Sequence, residues 1–437
     1  MPPIADAAVP QLTARTIAVA GALFVMTAAF VLTKTGRDAL YFQGRGLYDL
    51  PMAYMGIALL ALPLALSVLV MMRAIGPRRA RVLLPLLVAA LLLAFQPVAR
   101  PGGGVTMTLF FMLVPLVFGV MFSLSWLLAA DLLDGAVRRD LARSYSAIGG
   151  ASIVGGVAGA LVAKAVAMRI EPSWFLAFGA SGLVLASGVM AVAQRTFPPR
   201  ALRQAAAVNT KPGQFRVVLR QRYTALLLAS AAAAALAGVL IEFQFYLTAA
   251  TSGNGGRDNA NFFASAYLGL NLIALFIQLF LVPLLQRRVG VHGSLLVLPG
   301  ALLGGSAMLM ASASMVSRSI LRVAEGGLKS SVHRSSWEQA YLPLALTQRA
   351  VAKLLVDGAG ARLTEGFAAV ALYAWLRFGI GARTLTSRDI AWVPFLLLGT
   401  SVLWIALTRG LGRTLARACA AIGAADEFRA DVPLADT

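Results

Sequence analysis

The chain has 437 residues, of which 59% are hydrophobic and only 13% charged, with a mean hydropathy of +0.79 and a formal net charge of +20. Soluble domains run at about 45–50% apolar and about 25% charged residues, so a soluble enzyme, a coiled coil, a disordered chain and a nucleic-acid-binding domain are excluded. A single cysteine, Cys419, rules out an internal disulfide, and two distant histidines, His292 and His333, with no HExxH or CxxC, argue against a zinc site.

No phosphate-cradling P-loop run occurs, and no cofactor is expected. A helix crossing the hydrocarbon core needs about 20 mostly apolar residues. Twelve stretches qualify in chain order, over 17–41, 52–73, 81–99, 105–133, 144–167, 173–195, 223–249, 260–285, 292–312, 315–343, 347–376 and 388–408. The tenth and eleventh carry many charges. The first lacks a basic leader and runs into Lys34–Asp38 rather than a cleavage site, so it reads as a retained span.

Basic connections alternate with poorer ones. The rich set holds Arg73, Arg78, Arg79 and Arg81, then Arg138, Arg139 and Arg143, then seven basic residues from Arg195 to Arg222, then Arg287 and Arg288, then Arg334 and Arg349. The poor set holds Arg100, Arg169 and Arg257, and only Arg377, Arg383 and Arg388 in the last outer loop break the pattern. The positive-inside rule places the rich set and both termini in the cytoplasm. The expected organisation is a six-helix half over 1–195, a basic linker over 196–222, a second six-helix half over 223–409 and a tail over 410–437. Such a chain sits in the lipid bilayer as a monomer, without nucleic acid.

The halves repeat. Ala53–Leu62 reads AYMGIALLAL and Ala266–Leu275 reads AYLGLNLIAL, and the pairs Gly76/Pro85 and Gly290/Pro299 keep the same nine-residue spacing at nearly the same displacement. An even number of spans separates the copies, so they run parallel. This is the plan of a major-facilitator-like all-α membrane protein with a solute site between the halves.

Charges inside spans are costly and are paired or face water. Lys34, Arg37 and Asp38 share one face of span one, either contacting an anionic substrate or snorkelling at the interface. Glu242 stands in an apolar stretch of span seven, as a structural carboxylate or as a coupling or substrate group. Tyr267, Asn271 and Gln278 share a face of span eight, as a cavity wall or a hydrogen-bonded seam. Arg318, Arg322, Glu325, Lys329 and His333 follow helical spacing in span ten, lining a cavity or marking an amphipathic surface helix. Span eleven adds Arg349, Lys353, Asp357, Arg362 and Glu365, with Asp357 expected to pair with Lys353 or a base of span ten. Small residues of span five, Ser152, Gly156, Ala160, Gly155 and Gly159, suit close helix contact, and Lys164 is a candidate partner for Asp131 or Glu242.

These positions resemble the ATP/ADP translocase family of nucleotide exchangers, in its free-living bacterial branch. The matching runs are KTGRDAL, WLLAADLLDGAVRRDLARSYSAIGGASIVGG, IEFQFY, SSVHRSSWEQAYLPL and RAVAKLLVDGAGAR, which reach both halves. The resemblance implies a twelve-helix major-facilitator-like fold in a bacterial inner membrane, exchanging nucleotides by alternating access. It implies that Arg37 is a substrate-contacting cation and Glu242 the carboxylate of span seven. The family's GKSGG run in span eleven is replaced by LTEGF, with Glu365 where a lysine is expected.

The leading expectation is therefore a secondary transporter, not an enzyme, that exchanges an anionic organic solute. Its expected site residues are Lys34, Arg37, Asp38, Glu242, Asn271, Arg322, Glu325, Lys329, Asp357 and Arg362, with Arg37 pairing with Glu242 in the unloaded state. Proton-coupled transport of a neutral or cationic solute, and a non-transporting scaffold or channel, are the alternatives.

Overall fold

The computed structural model describes residues 4–44, 49–99, 104–133, 138–197, 220–252, 256–312, 314–341, 344, 352–380 and 389–430. Most of the linker over 196–222, together with Arg349, Arg383, Arg388 and the last tail residues, lies outside them. Regular structure among the described residues is helical, as a backbone in hydrocarbon requires when every N–H and C=O must bond within its own segment.

The first half holds α1 (Ile4–Gly44), α2 (Leu50–Ile75), α3 (Pro77–Phe95), α4 (Gly104–Leu132), α5 (Arg138–Val166) and α6 (Trp174–Thr196). The second holds α7 (Arg222–Ser252), α8 (Gly256–Phe276), α9 (Val282–Leu295), α10 (Val297–Ala311), α11 (Met315–Leu328), α12 (Arg334–Ala340), α13 (Ala361–Ala374) and α14 (Val393–Ala430). Four π-helical turns interrupt the second half, at Ile277–Leu281, Lys329–His333, Leu354–Gly360 and Trp375–Ile380. Span eight is therefore α8 continued into α9, span ten is α11 with α12, and span eleven is centred on α13.

Among the described residues eight helices are long and apolar enough to cross a membrane, and the pair Arg288–Leu295 and Val297–Ala311, bent by 56°, makes a ninth if it is one span. Three transits escape that test for visible reasons. Arg78, Arg79 and Arg81 crowd the start of the short α3, and spans ten and eleven are broken by π turns and carry charge. The last helix runs unbroken from Val393 to Ala430, so no helix end marks the tail expected from residue 410.

The internal repeat is visible in the packing. In the first half α1 packs on α4, α5 and α6, α3 on α6, and α2 on α4. In the second half the same relations hold for α7 with α11, α13 and α14, for α10 with α14, and for α8 with α11. The contacts between halves are symmetric too, α5 with α8 and α2 with α13. Ala53–Leu62 lies on α2 and Ala266–Leu275 on α8, in matching places.

Gly76 and Gly290 end the second span of each half. Gly76 has φ 83° and ψ 151°, and Gly290 has φ 68° and ψ −174°. That region is open essentially to glycine alone. No atom lies within 4 Å of where a Cβ would stand at either residue, so backbone conformation alone demands glycine. The shared Gly–Pro spacing in the sequence thus encodes one sharp turn used twice.

Most buried clusters draw on one half each, around Phe110, Phe118, Leu176 and Leu183 in the first and around Leu298, Leu302, Leu321 and Trp404 in the second. Two clusters draw on both. One joins Tyr41 and Phe111 to Phe243, Tyr246 and Phe263, and the other joins Leu32 and Phe175 to Ala260 and Ala264. These residues lie toward the end where α1 finishes, here termed the far end. Exposed apolar side chains such as Leu59, Leu62, Leu66 and Phe276 coat the outside, as a lipid-facing surface does.

Gly76→Ala and Gly290→Ala should each destabilise by about 1–3 kcal/mol through backbone strain. Gly300→Ala, inside α10 with open space around it, should be neutral or stabilising. Apparent unfolding temperatures in detergent test this, and equal effects at all three sites would contradict the shared turn.

Candidate functional site

The sequence KTGRDAL places Lys34, Arg37 and Asp38 in the last turns of α1, well inside the far half of the bundle. They do not snorkel. Asp38 is 0% exposed and Arg37 4%. Asp38 Oδ1 accepts from Arg37 Nε at 2.6 Å, and Arg37 Nη2 lies 2.5 Å from the same oxygen. Asp38 Oδ2 accepts from the hydroxyl of Tyr267 on α8 and, at 3.3 Å, from that of Tyr246 on α7. The Arg37 guanidinium rests on the Phe111 ring at 4.1 Å.

Glu242 on α7 has the mirrored arrangement. Its Oε2 accepts from the hydroxyl of Tyr54 on α2 at 2.7 Å. Its Oε1 accepts from Arg322 Nη2 at 3.1 Å and from Tyr246 at 3.4 Å, with Lys34 Nζ at 3.9 Å. Arg322 Nη1 also donates to Glu325 Oε2 at 2.5 Å, and Lys329 Nζ lies 3.2 Å from Glu325 Oε1. Lys34 sits 4.6 Å from the centre of the Tyr267 ring.

Tyr54 and Tyr267 occupy the same position of the repeated AYxG run. Each comes from the second helix of its half and donates to a carboxylate on the first helix of the other half. The halves are thereby cross-linked reciprocally. Tyr246 adds a coupling element. Its one proton serves either Asp38 or Glu242, so a change at one carboxylate is felt at the other.

Four cations (Lys34, Arg37, Arg322, Lys329) face three carboxylates (Asp38, Glu242, Glu325), leaving one positive charge. Exposure differs between the two ends of the network. Arg37 is closed in, Glu242 is 21% exposed and Lys329 50%. The wet part is the Lys329 end, near Gly238 at mid-depth of α7.

Seven of the ten expected site residues thus form one network. The other three lie elsewhere. Asn271 donates to the Tyr267 carbonyl at 2.7 Å and abuts Gly156 of α5, so it belongs to the helix contact. Among the described residues Asp357 forms no salt bridge with a lysine. It accepts from Trp337 Nε1 and Tyr341 hydroxyl, each at 2.8 Å. Lys353 pairs instead with Glu338, which Arg334 also approaches at 3.2 Å. Arg362 donates to Glu365 at 2.7 Å, a self-contained pair beside Gly119 of α4.

Three other expectations are corrected. Arg37 does not pair with Glu242, because Asp38 is adjacent and buried with it, and Glu242 takes Arg322 and Lys34. Lys164 reaches Asn261 at 2.7 Å and Ser265 at 2.6 Å across the halves, while Asp131 pairs with Arg81 at 2.5 Å. His333 leaves the span-ten stripe, because the π turn at Lys329–His333 inserts an extra residue and swings it between Trp337 and Trp404, both ring centroids 5.4 Å away. Span ten itself packs against α7, α8 and α10, so it is a bundle member rather than a surface helix. Close contact in span five holds. A Cβ at Gly155 or Gly159 would stand 2.1 and 2.6 Å from the carbonyl oxygens of Phe24 and Ala28.

No protein-family profile and no curated protein matches the chain. Solved structures do. A structure of nucleoside transporter NupG aligns with a TM-score of 0.60 at 12% identity, covering 91% of this chain and 98% of that one. A point-mutant structure of the same transporter gives 0.59 at 12%, covering 92% and 99%. At that identity the likeness is one of fold alone, a major-facilitator-like all-α fold with several helices long and apolar enough to cross a membrane.

Tyr267→Phe strips a donor from a fully buried carboxylate, at a cost of about 1–3 kcal/mol. Tyr54→Phe does the same to a carboxylate that water reaches, so it should cost less. Apparent unfolding temperatures of the two variants test the order, and an inverted order would count against Asp38 as the deeper anchor.

Proposed function

We propose that the chain is a secondary active transporter that works by alternating access and exchanges an anionic organic solute related to nucleotides. The observation that carries this reading is the reciprocal ion and tyrosine network, which joins the two halves at one end and retains one unmatched positive charge. A joint of that kind is reversible in a way that a shared apolar core is not, since a charged solute competes for its members. The resemblance of KTGRDAL, IEFQFY and the span-ten and span-eleven runs to ATP/ADP translocases supports the same class of solute.

Glu365 narrows the class. Where the resemblance expects a lysine, Glu365 neutralises Arg362. A site with one net positive charge suits one or two phosphate charges better than a triphosphate with its four. Both termini and the basic linker are assigned to the cytoplasm of a bacterial inner membrane by the positive-inside rule. The far end is then the outer one, and the structure corresponds to a carrier closed on the outside. Lys34, Arg37, Asp38 and Glu242 serve as the outer lock, with Arg322, Glu325, Lys329 and Arg362 nearer the solute.

A second reading has its own observation. Each network carboxylate already has its cation or tyrosine partners, so protonation of Glu242 would release Arg322 and Lys34 without any anion. That suits proton-driven uptake of a neutral solute, and the solved structures of similar fold are of a nucleoside transporter.

Proteoliposomes loaded with AMP, ADP or ATP should take up the labelled mono- or diphosphate by counterflow, independently of a pH gradient. Uptake of adenosine that requires the gradient, with no nucleotide counterflow, would favour the second reading. No counterflow of any solute would sink both. In a Cys419→Ser background, Lys329→Cys should react with a water-soluble thiol reagent, and inertness in every condition would contradict a wet Lys329.

A further inference from the structure

Arg318 stands apart from the network. It lies on α11 one helical turn before Arg322, on the same face, and is 7% exposed. Its Nε and Nη2 have no hydrogen-bond partner, nor has Nε of Arg322. Among the described residues no carboxylate pairs with Arg318. A guanidinium keeps its proton at any accessible pH, so burying one without an acceptor carries a desolvation cost that nothing within the chain offsets.

The unpartnered atoms have a geometry. Nε and Nη2 form the edge of the guanidinium that presents two parallel N–H donors, the edge that grips a carboxylate or phosphate with two bonds. Arg322 Nε supplies a third donor one turn further on. Arg318 also closes the first turn of α11, whose N-cap Ser314 accepts from Ser317 N–H at 3.1 Å, so the helix dipole adds partial positive charge there. The two network carboxylates that bind the neighbouring Arg322, Glu325 and Glu242, are already engaged through its two Nη atoms.

We infer that Arg318, with Nε of Arg322, forms an oxyanion site for a phosphate or carboxylate group on the far-end side of the network. Opening of the far end uncovers this face of α11. The site then receives the anionic group before it reaches Lys329, or an anionic lipid headgroup that steadies the opened form. The binding chemistry is independent of the transporter reading, on which only the solute's role as cargo rests.

The test uses the purified full chain, titrated by tryptophan fluorescence with pyrophosphate, AMP and adenosine, and compared in nanodiscs with and without phosphatidylglycerol. For Arg318→Gln the affinity for pyrophosphate or AMP should fall about tenfold or more, as loss of charge-assisted bonds requires. Adenosine should change by less than about twofold. Arg318→Lys should fall between, because the charge stays and the fork goes. The ligand-free Arg318→Gln protein should unfold no earlier than wild type, since an unpaired buried charge is removed.

If instead the stabilisation by phosphatidylglycerol disappears in Arg318→Gln while soluble anions still bind, the oxyanion site stands and its source is the lipid. The site is overturned if wild type responds to neither kind of anion, or if Arg318→Gln leaves both responses unchanged. It is also overturned if the variant merely unfolds earlier with anion binding intact, which marks a packing residue. Absent counterflow with Arg318-dependent anion binding would sink the transporter reading alone. Intact counterflow with Arg318-independent binding would sink the site alone.

Discussion

Asp38 has no contact with solvent and is ion-paired with Arg37, and the partners that its burial requires organise the molecule. A buried carboxylate needs every lone pair filled. Arg37 fills one oxygen from the same helix, but the other is filled only by tyrosines of the second half. The first helix of one half is thereby tied to the second helix of the other, and Tyr54 with Glu242 repeats the tie in the opposite sense. Two crossed bonds of this kind fix the rotation of one half against the other about the pseudo-symmetry axis, which a purely apolar contact leaves free to slide. The aromatic cluster of Phe42, Phe111, Tyr246 and Phe263 packs around the crossing and keeps water out of it.

The halves share topology but not mechanics. All four π turns lie in the second half among the described residues, and three of them fall in spans ten and eleven. Each π turn leaves a backbone register that a small shift can restore to α, so it is a natural place for a helix to change the direction of its side chains. Lys329 opens one such turn and Asp357 sits inside another. In the first half α1 is pressed against α5, where Gly155 and Gly159 admit the α1 backbone.

Much of this was legible in the sequence. The spans, the parallel repeat and the cluster of Lys34, Arg37, Asp38, Glu242, Arg322, Glu325 and Lys329 follow from hydropathy, self-comparison and charges that break an apolar pattern. Tyr54 was missed because a tyrosine near a helix end reads as an interface anchor. The signal was available, since the repeat equates Tyr54 with Tyr267. What hydropathy cannot encode is the π turn, so His333 was placed on a stripe that the backbone leaves. Nor does spacing rank competing partners. Lys353 met Glu338 rather than Asp357, and Lys164 met Asn261 rather than an acid, because reach across a helix contact is a three-dimensional quantity.

The difference in exposure between the Arg37 and Lys329 ends of the network separates two residues that the sequence placed together. Arg37 cannot touch a solute while the far end is closed, because it is covered by Phe111 and engaged by Asp38. Lys329, half exposed at mid-depth, can. In an exchanger of the kind proposed, an anion arriving at Lys329 competes with Glu325 for that cation. Glu325 then leans wholly on Arg322, whose hold on Glu242 weakens in proportion. Glu242 is shared with Tyr246, and Tyr246 with Asp38. A charge at the wet end thus reaches the dry lock through four consecutive hydrogen-bonded groups. Without the anion no step in that sequence is favourable, since each unpaired member costs more than its pair returns. In such an exchanger, the arrangement that holds the two halves together without solute therefore makes opening conditional on a solute of opposite charge.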